Sequence, residues 1–172
     1  DAGELYVDAS EAVILADTYG SVSVDAPTIE LNNKGGAVAV HALNGSDVTI
    51  LGNNISISAE GDGADITAVK ADNQNTDAAK AAQSKITIGT TGVSNIEITA
   101  TSKAGEAQAI WATKKGGTVD AKASIIEVKG NSLKVNVEGK DNNGYVPVGI
   151  WAASNNENTS DANVPMVNVE TA

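Results

Sequence analysis

The chain has 172 residues and is acidic, with 11 Lys+Arg against 22 Asp+Glu and a formal net charge of −11 at pH 7. It contains no arginine, no cysteine and a single histidine, so it lacks guanidinium clamps, thiolate ligands and most groups that metal or triad chemistry needs. The acidic balance argues against binding nucleic acid or an anionic membrane, since both require a basic face. We therefore expect no cofactor and no bound metal, and the composition disfavours catalysis.

The hydrophobic fraction of 41% is sufficient for the core of one domain, whereas aromatic residues make up only 3% and phenylalanine is absent. The core must therefore consist of Val, Ile and Ala, and β-branched side chains favour sheets. No run approaches the roughly 18 consecutive apolar residues of a membrane-spanning helix, so we expect no direct membrane insertion. A start at Asp1 without a signal peptide suggests a mature or excised fragment.

The predicted elements form a repeat. A strand at 5–7 resembles the last strand of a partial coil, and a four-residue motif (small or apolar, β-branched, any residue, Ala) then recurs at 13–16, 39–42, 68–71, 109–112 and 149–152. A short alternating strand follows each motif, at 22–24, 48–50, 86–88, 126–128 and 167–169. A further strand follows in most repeats, at 29–31, 55–57, 96–98 and 133–135. The same order of three strands thus returns along the whole chain.

Three short period-2 strands per repeat are typical of one turn of a parallel β-solenoid. Stacking the turns at roughly 4.8 Å buries a continuous core, which no single turn can do alone. The sequence therefore predicts an all-β, β-solenoid (parallel β-helix) fold of about five coils, with residues 1–172 as a single domain. The alternative is an antiparallel β-sandwich, which is also built from short alternating strands.

The corners between strands carry two further signals. Asn54 and Asn95 precede the third strand at matching positions, with Thr28 and Ser132 in line, so stacked polar side chains could form a hydrogen-bonded ladder or could be ordinary turn residues. Long polar inserts follow the motif strand in the last three coils only, at 72–85, 113–124 and 153–165. Because they leave the same corner of successive coils, they should lie side by side as a ledge, with helical turns possible at 77–83.

The recurring A-[VI]-x-A, V-x-I and I-x-I segments, the Asn/Gly corners and the lack of Cys and Arg resemble the passenger domain of a bacterial autotransporter adhesin. The resemblance covers essentially the whole chain and rests on repeat style and composition. It implies a right-handed parallel β-helix displayed outside a Gram-negative cell, with adhesion or self-association as its task. The outer-membrane β-barrel that anchors such proteins is not in this chain. The lack of an obvious cap near Ala172 predicts either a fragment of a longer passenger or end-to-end stacking.

The third position of each motif should point outward if the second points inward. That outward column reads Leu15, His41, Lys70, Trp111 and Trp151, and it places the only two tryptophans on adjacent coils beside the inserts. Exposed rings there would form a platform for sugar rings or for apolar side chains of another protein. Alternatively, the inserts fold back and bury the rings as a satellite core. His41 has no second His or Cys with which to share a metal, so we expect an outward, solvated imidazole.

Two acidic segments, 60–65 and 72–77, have oxygen ligands at short spacing, but neither matches a known calcium-loop pattern, so we interpret both as solvated turns. A polysaccharide-degrading β-helix enzyme is a distant alternative. Lyases of this shape commonly use a basic residue, often Arg, and hydrolases need clustered carboxylates. The outward acids Glu30, Glu97 and Glu127 fall on two different strand columns and should not converge. We therefore expect no enzymatic activity.

The sequence thus predicts an extracellular or cell-surface adhesin module, a rigid stalk that presents the insert ledge and binds through Trp111, Trp151, Lys70 and His41. The expected partner is a surface glycan or a protein receptor. The alternative is a structural module that associates with other copies of itself, as in aggregation, biofilm or filament formation.

Overall fold

The computed structural model describes residues 3–62, 65–74, 82–114, 122–140, 146–154 and 164–172. These contain fifteen strands, numbered in chain order: β1 Glu4–Ala9, β2 Ile14–Ala16, β3 Ser21–Asp25, β4 Thr28–Lys34, β5 Val38–Leu43, β6 Asp47–Leu51, β7 Asn54–Gly61, β8 Asp65–Asn73, β9 Lys85–Ile88, β10 Asn95–Ser102, β11 Glu106–Lys114, β12 Ile125–Gly130, β13 Ser132–Glu138, β14 Val148–Ser154 and β15 Met166–Thr171. Every strand expected from the repeat is present.

The strands form three five-stranded sheets in which every pairing is parallel. Sheet A has the order β1-β4-β7-β10-β13, sheet B the order β14-β11-β8-β5-β2, and sheet C the order β15-β12-β9-β6-β3. Each sheet takes one strand from each coil, so consecutive strands of the chain lie in different sheets. The predicted parallel β-helix of five three-stranded coils is confirmed, and the antiparallel sandwich is excluded. Within the described ranges, no helix is long and apolar enough to span a membrane.

The core follows directly from the alternation of the strands. Inward positions stack like on like across coils: Leu31, Ile57 and Ile98 are register partners on sheet A and all are fully buried. On sheet C the same holds for Val48, Ile86 and Ile126. Alanines at the fourth motif position form a narrow column on sheet B: Ala16, Ala42, Ala71 and Ala112. An interior filled by aliphatic side chains in register accounts for the absence of Phe.

The polar ladder at the corner before sheet A is present. Thr28, Asn54, Asn95 and Ser132 are register neighbours on four successive strands. Asn95 Nδ2 donates to Asn54 Oδ1 at 3.4 Å, and Ser132 Oγ donates to Asn95 Oδ1 at 3.0 Å. These side chains are exposed or partly exposed, so the ladder helps set the register of the coils rather than filling the core.

The predicted insert ledge lies largely outside the described residues. Residues 75–81, 115–121 and 155–163, and with them most of the proposed helical turns at 77–83, lie outside the described residues. The first and last residues of the inserts are described, and they attach at the same corner, between sheets B and C.

Candidate functional site

The predicted outward column of sheet B is present and in register. Leu15 pairs with His41, His41 with Lys70, Lys70 with Trp111, and Trp111 with Trp151. The structure therefore brings together all four residues that the sequence singled out for binding, along one line parallel to the solenoid axis. Leu15 is 54% exposed, whereas the other four side chains are half-buried.

The two tryptophans stack on each other, with ring centroids 5.2 Å apart and an interplanar angle of 9°. The two residues are partners on neighbouring strands, which lie about 4.8 Å apart. The rings therefore stack along the solenoid axis, and their edges point away from that axis. Lys70 Nζ lies 4.3 Å from the centroid of the Trp111 ring, a cation–π contact on the opposite face. Both faces of Trp111 are therefore covered by members of its own column.

This geometry differs from the platform expected from the sequence. A sugar ring cannot lie on either face of Trp111, because Lys70 and Trp151 occupy them. Trp151 lies on β14, the outermost strand of sheet B, so no strand among the described residues stacks on its second face. Within the described part of the chain, the uncovered ring face is thus that of Trp151.

Asp72 is a site residue that sequence reasoning missed. It follows Lys70 by two residues on β8 and is completely buried, and its Oδ2 lies 3.7 Å from Lys70 Nζ. Gln74 Nε2 also donates to Oδ2 at 2.6 Å, while Oδ1 has no hydrogen-bond partner among the described residues. The carboxylate holds the ammonium of Lys70 beside the Trp111 ring. The i, i+2 spacing of Lys70 and Asp72 was the available signal, but β8 was expected to end at Ala71 and Asp72 to begin a solvated turn.

His41 is not the solvated imidazole that the sequence predicted. Its side chain is half-buried, and Nε2 is buried without a hydrogen-bond partner in the described part of the chain. Burial and the neighbouring positive charge of Lys70 lower the pKa of His41 to about 4, against the opposing effect of Asp72 and Asp17. The prediction was wrong because an outward position on a parallel sheet is flanked by side chains one coil above and below, which remove much of the solvent.

Lys114 is another buried residue that the sequence analysis did not single out. It ends β11, its side chain is fully buried, and its Nζ has no hydrogen-bond partner within the described ranges. Its register partner Asn73 is buried too, and Asn73 Nδ2 donates to the carbonyls of Ala82 and Lys122, at 3.1 and 2.9 Å. Asn73 therefore ties the ends of two successive inserts together.

A buried serine closes the base of three of the five loops between sheets B and C, those that lead into β6, β9 and β12. Oγ of Ser46, Ser84 and Ser124 donates to the carbonyls of Leu43, Asp72 and Thr113, at 2.6, 2.8 and 2.8 Å. The three acceptors are register partners, so the same contact recurs in successive coils whatever the length of the loop it closes. A serine directly before β6, β9 and β12 was the sequence signal. This contact explains how the first two long inserts leave the solenoid without disturbing its register.

We expect Ser84→Ala to lower the free energy of unfolding by about 1–3 kcal/mol, because a fully buried hydroxyl loses two hydrogen bonds. Ser84 Oγ donates to Asp72 and accepts from the backbone N–H of Gly45 at 2.9 Å, so the substitution leaves both groups unsatisfied. Urea denaturation measures the loss. Ser23→Ala, at an exposed position of β3, is the matched control and should change stability by less than about 0.5 kcal/mol. Equal losses in the two variants would contradict the role assigned to Ser84.

Several of the acidic residues considered for calcium or catalysis are engaged in ion pairs. Glu60 and Asp62 both contact Lys103 Nζ, at 3.2 and 3.3 Å. Within the described ranges, no group of three or more His, Asp or Glu residues could hold a metal ion.

Glu30 and Glu97 lie on sheet A, whereas Glu127 lies on sheet C. Hydrogen bonds from Lys134 and Asn136 lower the pKa of Glu97, and a hydrogen bond from Lys85 lowers that of Glu127. A lowered pKa means that these hydrogen bonds stabilise the ionised carboxylate. A general acid needs the reverse, a raised pKa.

The chain matches no protein-family model, and neither a curated protein nor a solved structure is significantly similar to it. The class of protein is therefore defined by the fold: a parallel β-helix that carries an aromatic and cationic column on one sheet.

Proposed function

We propose that this protein is an adhesive module of a bacterial cell surface, part of an autotransporter passenger with a right-handed β-helix. The solenoid acts as a stiff stalk, and the column Leu15–His41–Lys70–Trp111–Trp151 with its neighbouring inserts binds a surface glycan or a protein receptor. The supporting observation is the Trp111–Trp151 stack, capped by Lys70, at the corner where the long inserts attach. No other part of the described surface combines stacked aromatic rings with a lysine ammonium group that an ion pair keeps in place.

The ligand contacts follow from which atoms remain accessible. The second face of Trp151 suits the apolar face of a sugar ring or an aliphatic side chain. The indole N–H of Trp111 is buried and has no partner among the described residues, so the accessible ring face of Trp151 rather than this N–H makes the ligand contact. Lys70 is held by Asp72 and Trp111, so it adds positive charge without needing to be ordered on binding. The site therefore favours neutral or weakly acidic ligands with one apolar face.

Trp151→Ala is expected to weaken binding at least about tenfold, because it removes the ring face that contacts the ligand. The measurement is intrinsic tryptophan fluorescence of the purified chain, with acrylamide quenching before and after addition of a glycan panel. A bound glycan should protect the emission of the wild type from acrylamide, and should not protect Trp151→Ala. Tyr6→Ala is the matched control, since Tyr6 is an aromatic residue 57% exposed on sheet A. If no glycan changes quenching, or if the two variants lose binding equally, the proposed glycan site is wrong.

A second candidate function is self-association, in which the module joins copies of itself during aggregation or filament formation. The observation that favours it is separate from the tryptophan column. Apolar side chains away from this column are exposed on the lateral surface of the solenoid, among them Tyr6 at 57% and Val93 at 50%, and they are available for a side-by-side contact with another copy.

A further inference from the structure

A shallow groove with a volume of about 350 Å³ lies on the outer face of sheet A. It crosses β4, β7, β10 and β13, so it runs along the solenoid axis over four coils, a length of about 14 Å at about 4.8 Å per coil. Its floor lies over Ile29, Ile55 and Ile96, whose side chains are buried in the core. Its two walls are outward columns of the sheet: Thr28, Asn54, Asn95 and Ser132 on one side, and Glu30, Ser56, Glu97 and Lys134 on the other. The groove therefore presents polar groups once per coil.

The first wall is held in place by its own hydrogen bonds. Asn95 Oδ1 accepts from Asn131 Nδ2 at 3.1 Å and from Ser132 Oγ at 3.0 Å, and Asn95 Nδ2 donates to Asn54 Oδ1 at 3.4 Å. The Nδ2 group of Asn54 takes no part in this ladder, although Asn54 is exposed and lines the groove. The wall thus presents amide and hydroxyl groups whose positions are already restrained, which lowers the entropic cost of binding a ligand.

The second wall determines which charge a ligand can carry. Glu97 accepts hydrogen bonds from Lys134 Nζ at 2.8 Å and from Asn136 Nδ2 at 2.7 Å, and these bonds lower its pKa. The charge of the lysine is thereby compensated within the wall, whereas Glu30 accepts from the neutral amide of Asn32 at 2.9 Å. The groove thus contains one more acid than base, on a chain with a formal net charge of −11. This field disfavours acidic ligands.

We propose that this groove is a second ligand site, in which a linear neutral oligosaccharide lies along the solenoid axis. Neutral sugars present hydroxyl groups along their whole length, and amide and hydroxyl side chains pair with them as both donors and acceptors. One sugar residue of an extended chain is close to one coil in length, so successive sugar residues meet equivalent side chains. Four coils correspond to about three or four sugar residues. The site lies on a different sheet from the tryptophan column and does not depend on it.

An extended peptide fits this groove less well than a sugar chain does. The hydrogen-bonding edges of β4, β7 and β10 are occupied by the neighbouring strands of sheet A, so a peptide cannot add to these strands as a further strand. Recognition would then need pockets for the side chains of the peptide. Apart from the three buried isoleucines of the floor, every residue that lines the groove is polar, so the groove offers no apolar pocket. A chain rich in hydroxyl groups needs neither feature.

The test is an NMR titration of the isotope-labelled full chain with β-linked oligomers of glucose, N-acetylglucosamine and mannose, each from one to six residues long. At least one series is expected to shift the backbone amide signals of β7 and β10 and the side-chain amides of Asn54 and Asn95. Affinity should rise about two- to tenfold with each added residue, up to about three or four, because each residue adds about one net hydrogen bond. Galacturonic acid oligomers of equal length should not bind, since their carboxylates meet the negative groove.

Two pairs of variants locate the site. Ser56→Tyr fills the middle of the groove, and Thr49→Tyr, at a half-buried outward position of β6 in the same coil, is its matched control on sheet C. Asn54→Asp removes the Nδ2 donor but keeps the oxygen that Asn95 contacts, and Asn53→Asp adds the same charge beside the groove. Ser56→Tyr and Asn54→Asp should each weaken binding at least about tenfold, and the two controls less than about twofold. Circular dichroism establishes that each variant is folded.

The outcomes separate this groove from the tryptophan column. If no sugar series shifts the signals of sheet A, or if Ser56→Tyr and Thr49→Tyr bind equally well, the groove is not an oligosaccharide site. Affinity that does not depend on the length of the oligomer overturns the extended binding mode. A short neutral peptide that shifts the same signals while the sugars do not would overturn the choice of ligand. The indole N–H signals of Trp111 and Trp151 report on the other site in the same spectra, so either site can fail without the other.

Discussion

Ile98→Ala is expected to lower the free energy of unfolding by about 2–5 kcal/mol. Ile98 lies in the middle of β10, is completely buried, and its register partners are Ile57 and Val135 on the adjacent strands. The backbone on both sides is fixed by parallel ladders, so the coils cannot move together to fill the space left by the side chain. The loss therefore contains the cost of a cavity in addition to the lost burial of the methyl and methylene groups.

Urea denaturation at neutral pH measures this effect. Val135→Ala is the matched control, because Val135 occupies the same column on the outermost strand β13 and is only half-buried. Its truncation should cost markedly less than that of Ile98, since solvent already reaches the site. If Ile98→Ala and Val135→Ala lose the same stability, solvent reaches both sites equally, in contradiction to the burial of Ile98.

The second large effect is a loss of stability in mild acid caused by His41. Its pKa in the folded protein is about 4, below the ordinary value of 6.5, so the unfolded chain binds a proton more readily than the folded one. Stability from this group is complete above about pH 6.5 and is lost as the pH falls towards 4. A shift of this size corresponds to about 3 kcal/mol, at about 1.4 kcal/mol per pKa unit. Burial is the main cause, Lys70 adds repulsion, and Asp72 and Asp17 act in the opposite direction.

His41→Gln is the control for this prediction, because the amide is polar but does not titrate. The wild type should lose stability between about pH 6.5 and 4.5 relative to the variant, and the two should run parallel above pH 7. Asp8, Glu97 and Glu127 also have lowered pKa values, but their contributions are lost mainly below their ordinary range and are common to both proteins. Identical pH profiles would contradict the buried state of His41, and so would an NMR titration of its imidazole near pH 6.5.

The order of the strands and the orientation of their side chains could be predicted from the sequence because both depend on local periodicity. Alternation with period 2 assigns Ile57 and Ile98 to the interior, and the repeated order of three strands in each coil sets them in one column despite the inserts. The same reasoning aligned Lys70, Trp111 and Trp151 correctly. The hydrogen bonds of Asn95 with its neighbours, one of the two alternatives that the sequence left open, follow from that alignment as well.

The contacts made within the outward column could not be predicted in the same way. Knowing that Trp111 points outward does not reveal that Lys70 covers one of its faces and Trp151 the other, because this depends on the rotamers of three long side chains. The burial of Asp72 depends on β8 extending past the repeat motif to Asn73, which the alternation pattern did not indicate. Similarly, the serines that close the insert bases gain their meaning only from the carbonyls that the fold brings to them.

The sequence by itself determined the parallel β-helix, its five coils, its aliphatic core and the membership of the sheet B column, since each follows from residue type, alternation within the strands and the repeated order of the strands along the chain. The tertiary structure decided which of those column residues are accessible, what holds Lys70 in position, and why His41 is kept neutral. The physical reason is that spacing fixes direction and register, whereas solvent access and charge environment arise from neighbours one coil away, about 4.8 Å distant in space and many residues distant in the chain.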